Sequence, residues 1–341
     1  MNLRELSALL ELSQTTVSRA LNNYPEVNDA TRLRVKEAAE QNNYRPNKRA
    51  KGLATGRTFS IGHVIPISTQ HEIVNPVFAD FIAGAGEVYS ANGYDMHLSV
   101  VPDVDEEKTY RELAAKRSVD GVIVHGPRKN DPRIALLQEV GLPFVVHGRA
   151  GEGDSAYSWV DMNNTGAFRR ATELLLDLGH RRIALVNGLE SMDFAQRRRD
   201  GYVGALKSRS LEPDPGLMRS EEMTEHYGYR TARELLKTQN APTAFLVSSM
   251  ITAIGVRRAI GGAGLRPGRD ISVVIHDDEL SYLRNGEDVP IFTATKSSVR
   301  TAGRHCAEIL LGIIANPDQP PRHELLEAEL TVGHSTGPAP G

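Results

Sequence analysis

Between positions 14 and 22 the chain carries Gln14, Thr15, Thr16, Ser18, Arg19 and Asn22, interleaved with Val17, Ala20 and Leu21. Short donors and acceptors plus one arginine on an apolar-backed helix are what reading a DNA major groove requires. An amide suits adenine, a guanidinium suits guanine, and hydroxyls suit phosphates or bases. A second chemistry is scattered further along. His125 and His147 each end a short apolar run. Arg198 presents five donors in a planar fork that fits vicinal hydroxyls. Phe78 and Phe194 offer aromatic faces on which an apolar ligand surface can stack. Asp277 and Asp278 are adjacent carboxylates, raw material for acid–base catalysis in a hydrolase or sugar kinase. Against catalysis, the sequence has no Gly-x-x-x-x-Gly-Lys phosphate loop and no His-Glu-x-x-His pair. Gly261-Gly-Ala-Gly264 follows a helical stretch rather than a strand and reads as a loop.

The first set needs a small helical scaffold. Leu3, Leu6, Leu9 and Leu10 recur at helical spacing and predict a first helix. Ser13 is a good N-cap for a second helix, with Val17, Ala20 and Leu21 inside. Asn22-Asn-Tyr-Pro25 reads as a turn. Asn28 or Asp29 caps a third helix that buries Leu33, Val35, Ala38 and Ala39 and ends near Asn42-Asn43. Two short helices, a tight turn and a supporting helix make a helix-turn-helix. Residues 46–58 follow as a short basic hinge containing Lys48, Arg49 and Lys51. These cations repel one another except beside phosphates.

The second set needs a different scaffold. From Phe59 onward, short apolar runs alternate with amphipathic stretches. Strands are predicted at 60–65, 95–101, 121–125, 144–147, 182–186, 243–247 and 271–275. Helices are predicted at 78–89, 108–115, 134–140, 165–178, 198–208, 227–238, 252–262 and 301–314. This alternation implies doubly wound parallel sheets. Two such halves in tandem suggest a two-lobed clamshell with a ligand cleft between the lobes, beyond the strands' C-terminal ends. The segment Gly333–Gly341 reads as a disordered tail.

Charge agrees with this division. The 341 residues carry a net −3, but residues 1–57 hold ten Lys/Arg against six Asp/Glu, so the head is basic and the remainder acidic. That is the expected asymmetry for a nucleic-acid-binding module on a non-binding body. No apolar run approaches the ~20 residues that span a bilayer, and the N-terminus shows no basic-then-apolar leader. One cysteine, Cys306, excludes a disulfide framework and a Cys-rich zinc site. A cytoplasmic location is expected, with no membrane partner, cofactor or metal.

The run Ser13-Gln-Thr-Thr-Val-Ser-Arg-Ala-Leu-Asn22, then Pro-Glu-Val-Asn28, Thr31 and Asn43-Tyr-Arg-Pro-Asn47, closely resembles the N-terminus of the lactose-repressor/galactose-repressor (LacI-type) family of bacterial transcription regulators. The resemblance continues through Gly179-His-Arg-Arg-Ile-Ala184, Arg198-Arg-Asp-Gly-Tyr202, Pro242-Thr-Ala244 and Asp270-Ile-Ser-Val-Val274, and so covers nearly the whole chain. It implies an all-α helix-turn-helix head over 1–45, a hinge over 46–58 and an α/β two-lobed, periplasmic-binding-protein-like body over 59–341. The N-lobe would comprise about 59–160 plus 292–317, and the C-lobe about 161–291 plus 318–335. Gln14 and Thr15 would begin the recognition helix, with Ser18, Arg19 and Asn22 on bases or backbone. Thr16, Thr31, Tyr44 and Asn47 match phosphate-contacting positions. Leu53 matches a leucine that wedges into the minor groove and kinks the operator. In the body, Arg198, Asp161 and Asp277 match polar ligand-binding positions, and Met223 and Ser249 match cleft-lining ones.

The implied function is a homodimeric, operator-binding repressor without enzymatic activity. Its effector would be a sugar, a glucoside or a disaccharide, acting as inducer. The alternative is a sugar-binding or sugar-processing α/β protein without a regulatory role. Two features depart from the family pattern. Ser248-Ser249-Met250 stands where the family commonly has Asn-Asp, which removes an amide and a carboxylate from one wall. The segment Pro66–Asn75 is longer than usual, with Thr69, Gln70, His71 and Glu72 extra, and reads as a lid or pocket edge.

Overall fold

The computed structural model describes residues 1–44, 52, 56–66, 75–151 and 156–340. It divides into two compact units, Met1–Phe59 together with Arg117–Val119, and Ser60–Lys116 together with Asp120–Gly341. Most of the hinge, including Asn47 and Leu53, and the extra residues Thr69–Glu72 lie outside the described residues.

The first unit is built on three helices, α1 (Leu3–Leu10), α2 (Gln14–Leu21) and α3 (Asp29–Gln41). Each starts where a side chain satisfies an orphan N–H. Asn2 and Glu5 form a reciprocal capping box on α1. Ser13 Oγ accepts from Thr16 N at 3.0 Å, and Asn28 Oδ1 accepts from Thr31 N at 2.8 Å. The core is Leu6, Leu10, Val17, Ala20, Val27, Val35 and Ala39. Two expected core residues are outside it, since Leu9 is 56% and Leu33 60% exposed. Helical angles explain this. Leu33 lies two residues, about 200°, from Val35, and Leu9 sits beside Leu10 rather than on the Leu6–Leu10 stripe.

The second unit contains two six-stranded sheets. The first, in the order β11-β5-β4-β3-β1-β2, comprises β1 (Ser60–Pro66), β2 (Asp95–Val101), β3 (Gly121–His125), β4 (Phe144–His147), β5 (Ser158–Met162) and β11 (His323–Leu326). All its pairings are parallel. The second, in the order β12-β10-β9-β8-β6-β7, comprises β6 (Ile183–Asn187), β7 (Met218–Ser220), β8 (Ala244–Val247), β9 (Ser272–Asp277), β10 (Thr293–Lys296) and β12 (Glu329–Thr331). Only its β10–β12 pair is antiparallel. Strands buried on both faces are apolar without alternation, as Val122, Ile123 and Val124 of β3 and Phe245, Leu246 and Val247 of β8 show.

Helices connect and cover the sheets: α4 (Pro76–Ala91), α5 (Glu106–Ala115), α6 (Pro132–Glu139), α7 (Asn164–Asp177), α8 (Asp193–Ser208), α9 (Glu225–Leu235), α10 (Met250–Gly262) and α11 (Val299–Ala315). Helices α4 and α11 approach closely because each has a glycine at the crossing. A Cβ on Gly84 would lie 2.0 Å from Arg300 O, and one on Gly303 would lie 2.1 Å from Phe81 O.

The chain passes between the sheets three times, after β5, after β10 and after β11. The lobe limits therefore differ from those expected at 292 and 318. Strand β10 belongs with the second sheet, and β11 adds to the first beside β5. Residues 333–340 are not a loose tail. Ser335 is buried; its Oγ accepts from Thr293 N at 2.8 Å and donates to Val273 O at 2.5 Å. His180 Nε2 meets Gly337 O at 3.1 Å, and Ala339 N donates to Leu178 O at 2.8 Å.

Candidate functional site

In the head, α2 presents Gln14, Thr15 and Arg19 fully outward, with Thr16, Ser18 and Asn22 half-buried. Thr16 Oγ1 lies 2.9 Å from Ser13 Oγ, and Asn22 Nδ2 donates to Ser18 O at 2.8 Å. These two side chains therefore brace the ends of α2 as well as facing outward. Thr31, in the first turn of α3, is half-buried. Tyr44 packs against the head core, and burial raises its hydroxyl above the usual value.

In the body, strands of both sheets end at a cavity of about 560 Å³. That lies within the range of small-molecule sites. His125 and His147 occupy matched positions at the ends of β3 and β4. Both line the cavity, as do Phe78, Asp161, Phe194, Arg198 and Met223. Asp277 and Ser249 do not. Asp277 Oδ1 accepts from Glu279 N at 2.9 Å, turning the loop after β9 and leaving Asp278 on the wall. Ser249 Oγ caps α10 by accepting from Thr252 N at 3.2 Å, so Ile251 is the lining residue there. The sequence reading also missed Phe81, Asn164 and His276, which line the cavity too.

Arg198 is 5% exposed. Its Nε donates to Asn164 Oδ1 at 2.8 Å and one Nη to Ser248 O at 2.6 Å. Its guanidinium lies 4.9 Å from the Phe194 ring centre and 5.1 Å from that of Phe168. Burial lowers its pKa to about 10, opposed by Asp278 and Asp161, so it remains a cation at neutral pH. The Arg197-Arg198-Arg199 run splits by helical rotation. Arg197 pairs with Asp193 and donates to Gly151 O at 2.6 Å, while Arg199 pairs with Glu190 at 2.8 Å.

Asp161 Oδ2 accepts from Arg149 Nε at 2.7 Å, and its Oδ1 from Asn164 Nδ2 at 3.3 Å. Burial raises its carboxyl pKa against the pull of Arg149. Asp278 sits 3.3 Å from His276 Nε2. Burial pushes its carboxyl up, but His276, Arg198 and His147 together outweigh that and hold it below the usual value. Burial drives His147 down to about 4 and His125 well below its ordinary value, so both rings are neutral at pH 7.

The two lobes touch around this cavity. Asp193 N donates to Pro127 O at 2.9 Å, Gly151 N donates to Asp193 Oδ1 at 3.1 Å, and Ser281 N donates to Asp80 Oδ2 at 2.8 Å.

Known proteins share this organisation. The family model for bacterial regulatory proteins of the lacI family matches residues 4–47, and that for a periplasmic binding protein-like domain matches residues 172–336. The HTH-type transcriptional regulator AglR of Rhizobium meliloti (strain 1021) is 48% identical over 342 residues, covering 99% of this chain and 95% of that protein. The regulator CelR of Thermobifida fusca is 31% identical, with 98% and 97% covered. Among solved structures, a CelR–cellobiose complex superposes with a TM-score of 0.73 at 29% identity, covering 98% and 99% of the two chains. The lac repressor dimer bound to operator and the anti-inducer ONPF gives 0.80 at 25% identity, covering 97% and 98%. With near-complete coverage at 48% identity and a matching head, the chain belongs to the lacI family of bacterial regulatory proteins.

Proposed function

We propose that this DNA-binding regulator is a cytoplasmic, homodimeric repressor whose operator affinity is released by a neutral sugar, a glucoside or disaccharide, held in the cavity between its lobes. The composition of the cavity wall carries the reading. Asp161, Glu222, Glu225 and Asp278 line it against a single guanidinium, Arg198, among the described residues. Arg149 pairs with Asp161 and Arg258 with Glu225, so the wall carries no surplus of positive charge to draw a sugar phosphate or a sugar acid. Carboxylates and a buried guanidinium suit hydroxyls, which both donate and accept. Phe78 and Phe194, with Val77, Ile251 and Met192, supply apolar faces for the C–H surface of a pyranose. Arg198, Asp161, Asp278, Asn164 and His147 would hold the hydroxyls.

The cellobiose found in the CelR complex is a ligand of this class. The dimeric, operator-bound lac repressor supports the rest of the reading. So does an exposed apolar row on β2, the edge strand of the first sheet, where Met96, Leu98 and Val100 are 42–45% exposed on one face. A second copy would cover that row. Two heads on one dimer read a pseudo-palindromic site. Gln14, Thr15, Ser18, Arg19 and Asn22 would meet bases or backbone, and Thr16, Thr31, Tyr44 and Asn47 phosphates. Leu53 would be the minor-groove wedge.

Melting the protein against a panel of neutral mono- and disaccharides, sugar phosphates and uronic acids tests the reading. A neutral sugar at ~100 times its dissociation constant stabilises by about 2.7 kcal/mol. The same sugar should release DNA fragments selected for binding from a random pool. Stabilisation by the anionic members alone would overturn the ligand class. Tighter DNA binding on adding the sugar would overturn the inducer assignment.

A further inference from the structure

Behind the cavity wall runs a line of hydrogen bonds that ends in the core. The Tyr89 hydroxyl on α4 lies 3.1 Å from His63 Nε2 on β1, and His63 Nδ1 lies 2.9 Å from His125 Nε2 on β3. Tyr89 is 2% and His63 0% exposed, and neither lines the cavity. His125 does. Its Nδ1 makes no bond among the described residues, yet it is not one of the sealed, unpartnered polar atoms. That nitrogen therefore faces open space.

Burial keeps both rings neutral, with His63 driven down to about 3. A neutral imidazole has one N–H and one lone pair. Each link then needs one donor and one acceptor, so the whole line points one way or the other. In one direction the phenol donates to His63, His63 Nδ1–H donates to His125 Nε2, and His125 carries its proton on Nδ1. In the other direction every bond reverses and His125 Nδ1 presents a lone pair.

The phenol proton decides between them. His63 Nε2 is the hydrogen-bond partner found for the Tyr89 hydroxyl among the described residues. Reversal would leave a buried O–H without an acceptor, a penalty of about tenfold or more in population. We infer that Tyr89 and His63 are positioning residues that fix His125 as a donor, through Nδ1–H, on the wall of the ligand cavity. In the proposed sugar site, on which this reading rests, that donor selects an oxygen able to accept without donating, such as a ring or glycosidic oxygen. This sets His125 apart from Asp161 and Asp278, which as carboxylates accept from hydroxyls.

The test reads the tautomer directly in the ligand-free, full-length protein. Nitrogen-15 NMR of histidine-labelled protein distinguishes Nδ1–H from Nε2–H imidazole, and loss of signals in His125→Gln assigns the ring. The expected result is His125 protonated at Nδ1 in the wild-type protein. In Tyr89→Phe neither direction satisfies both ends, and a second population with Nε2–H should appear. Nε2–H in the wild-type protein, or a wild-type spectrum for His125 in Tyr89→Phe, would overturn the inference. No sugar enters the measurement, so an empty sugar panel and a wrong tautomer are separate failures.

Discussion

Arg198 Nε donates to Asn164 Oδ1 across 2.8 Å, and Asn164 Nδ2 in turn reaches Asp161 Oδ1 at 3.3 Å. The cation is thus held by a neutral amide that also steadies a carboxylate on the same wall. Lysine cannot reproduce this, because an ammonium lacks the planar fork that serves Asn164, Ser248 and the cavity together. Arg198→Lys should weaken sugar binding on the order of a hundredfold, as two buried hydrogen bonds at about 1–3 kcal/mol each are lost or misdirected. Calorimetry measures this. DNA binding by the head should be unchanged, and a sugar affinity within threefold of wild type would contradict the assigned role.

Stability should fall with acid before ordinary carboxylates titrate. His63 is held down to about 3 by burial, whereas an unfolded histidine titrates near 6.5. Between those values the unfolded chain binds more protons than the folded one, so stability is full above roughly pH 6.5 and drains away as pH falls. His147, held at about 4, adds to the same window. Asp278, held below its usual value, adds a further loss only below about pH 4. Urea midpoints at pH 7.5, 6 and 5 should decline steadily, and His63→Gln should flatten the decline. Parallel slopes for the two proteins would count against burial of a neutral His63.

The strap formed by residues 333–340 should contribute measurably to folding. Ser335→Ala leaves the buried Thr293 N–H without its acceptor and the Val273 carbonyl without a donor. A loss of about 1–3 kcal/mol is expected in denaturant unfolding. Cavity residues are untouched by this change, so sugar affinity at low temperature should stay at its wild-type value.

For the head, Arg19→Ala should relax specificity at one position of each half-site by about 1–3 kcal/mol, as scored by selection from random DNA. Leu53→Ala should weaken operator binding across sequences while leaving sugar binding intact. Ser13→Ala should instead cost about 1 kcal/mol of head stability by uncapping α2. Thermal melting separates that effect from loss of a base contact.

The head was legible in the sequence because its determinants are local. The caps Ser13 and Asn28 and the Val17–Ala20 spacing act within one or two helical turns. The cleft histidines were legible for a topological reason, since in a parallel sheet strand ends face the ligand. What escaped depended on single-residue register or on distant pairing. Whether Asp277 or Asp278 faces the cavity turns on where β9 stops, and one residue flips the face. His63 sits inside an apolar strand, and its partner His125 is 62 residues away. Nothing near it in sequence marks it as more than core. Residues 333–340 are small and polar without periodicity, and only their bonds to β9, β10 and His180 reveal a packed segment.

The three crossings between the sheets also bear on synthesis. Strand β11 completes one edge of the first sheet and β12 one edge of the second, and both come from residues 323–331. A nascent chain carries a finished three-helix head after some forty residues, but neither lobe is whole until the ribosome has passed position 331. Domains fold as units as they emerge. The head is thus complete for most of translation, while the cavity between the lobes is still unfinished. Truncation shortly before β11 removes an edge strand from both lobes at once, and spares the head.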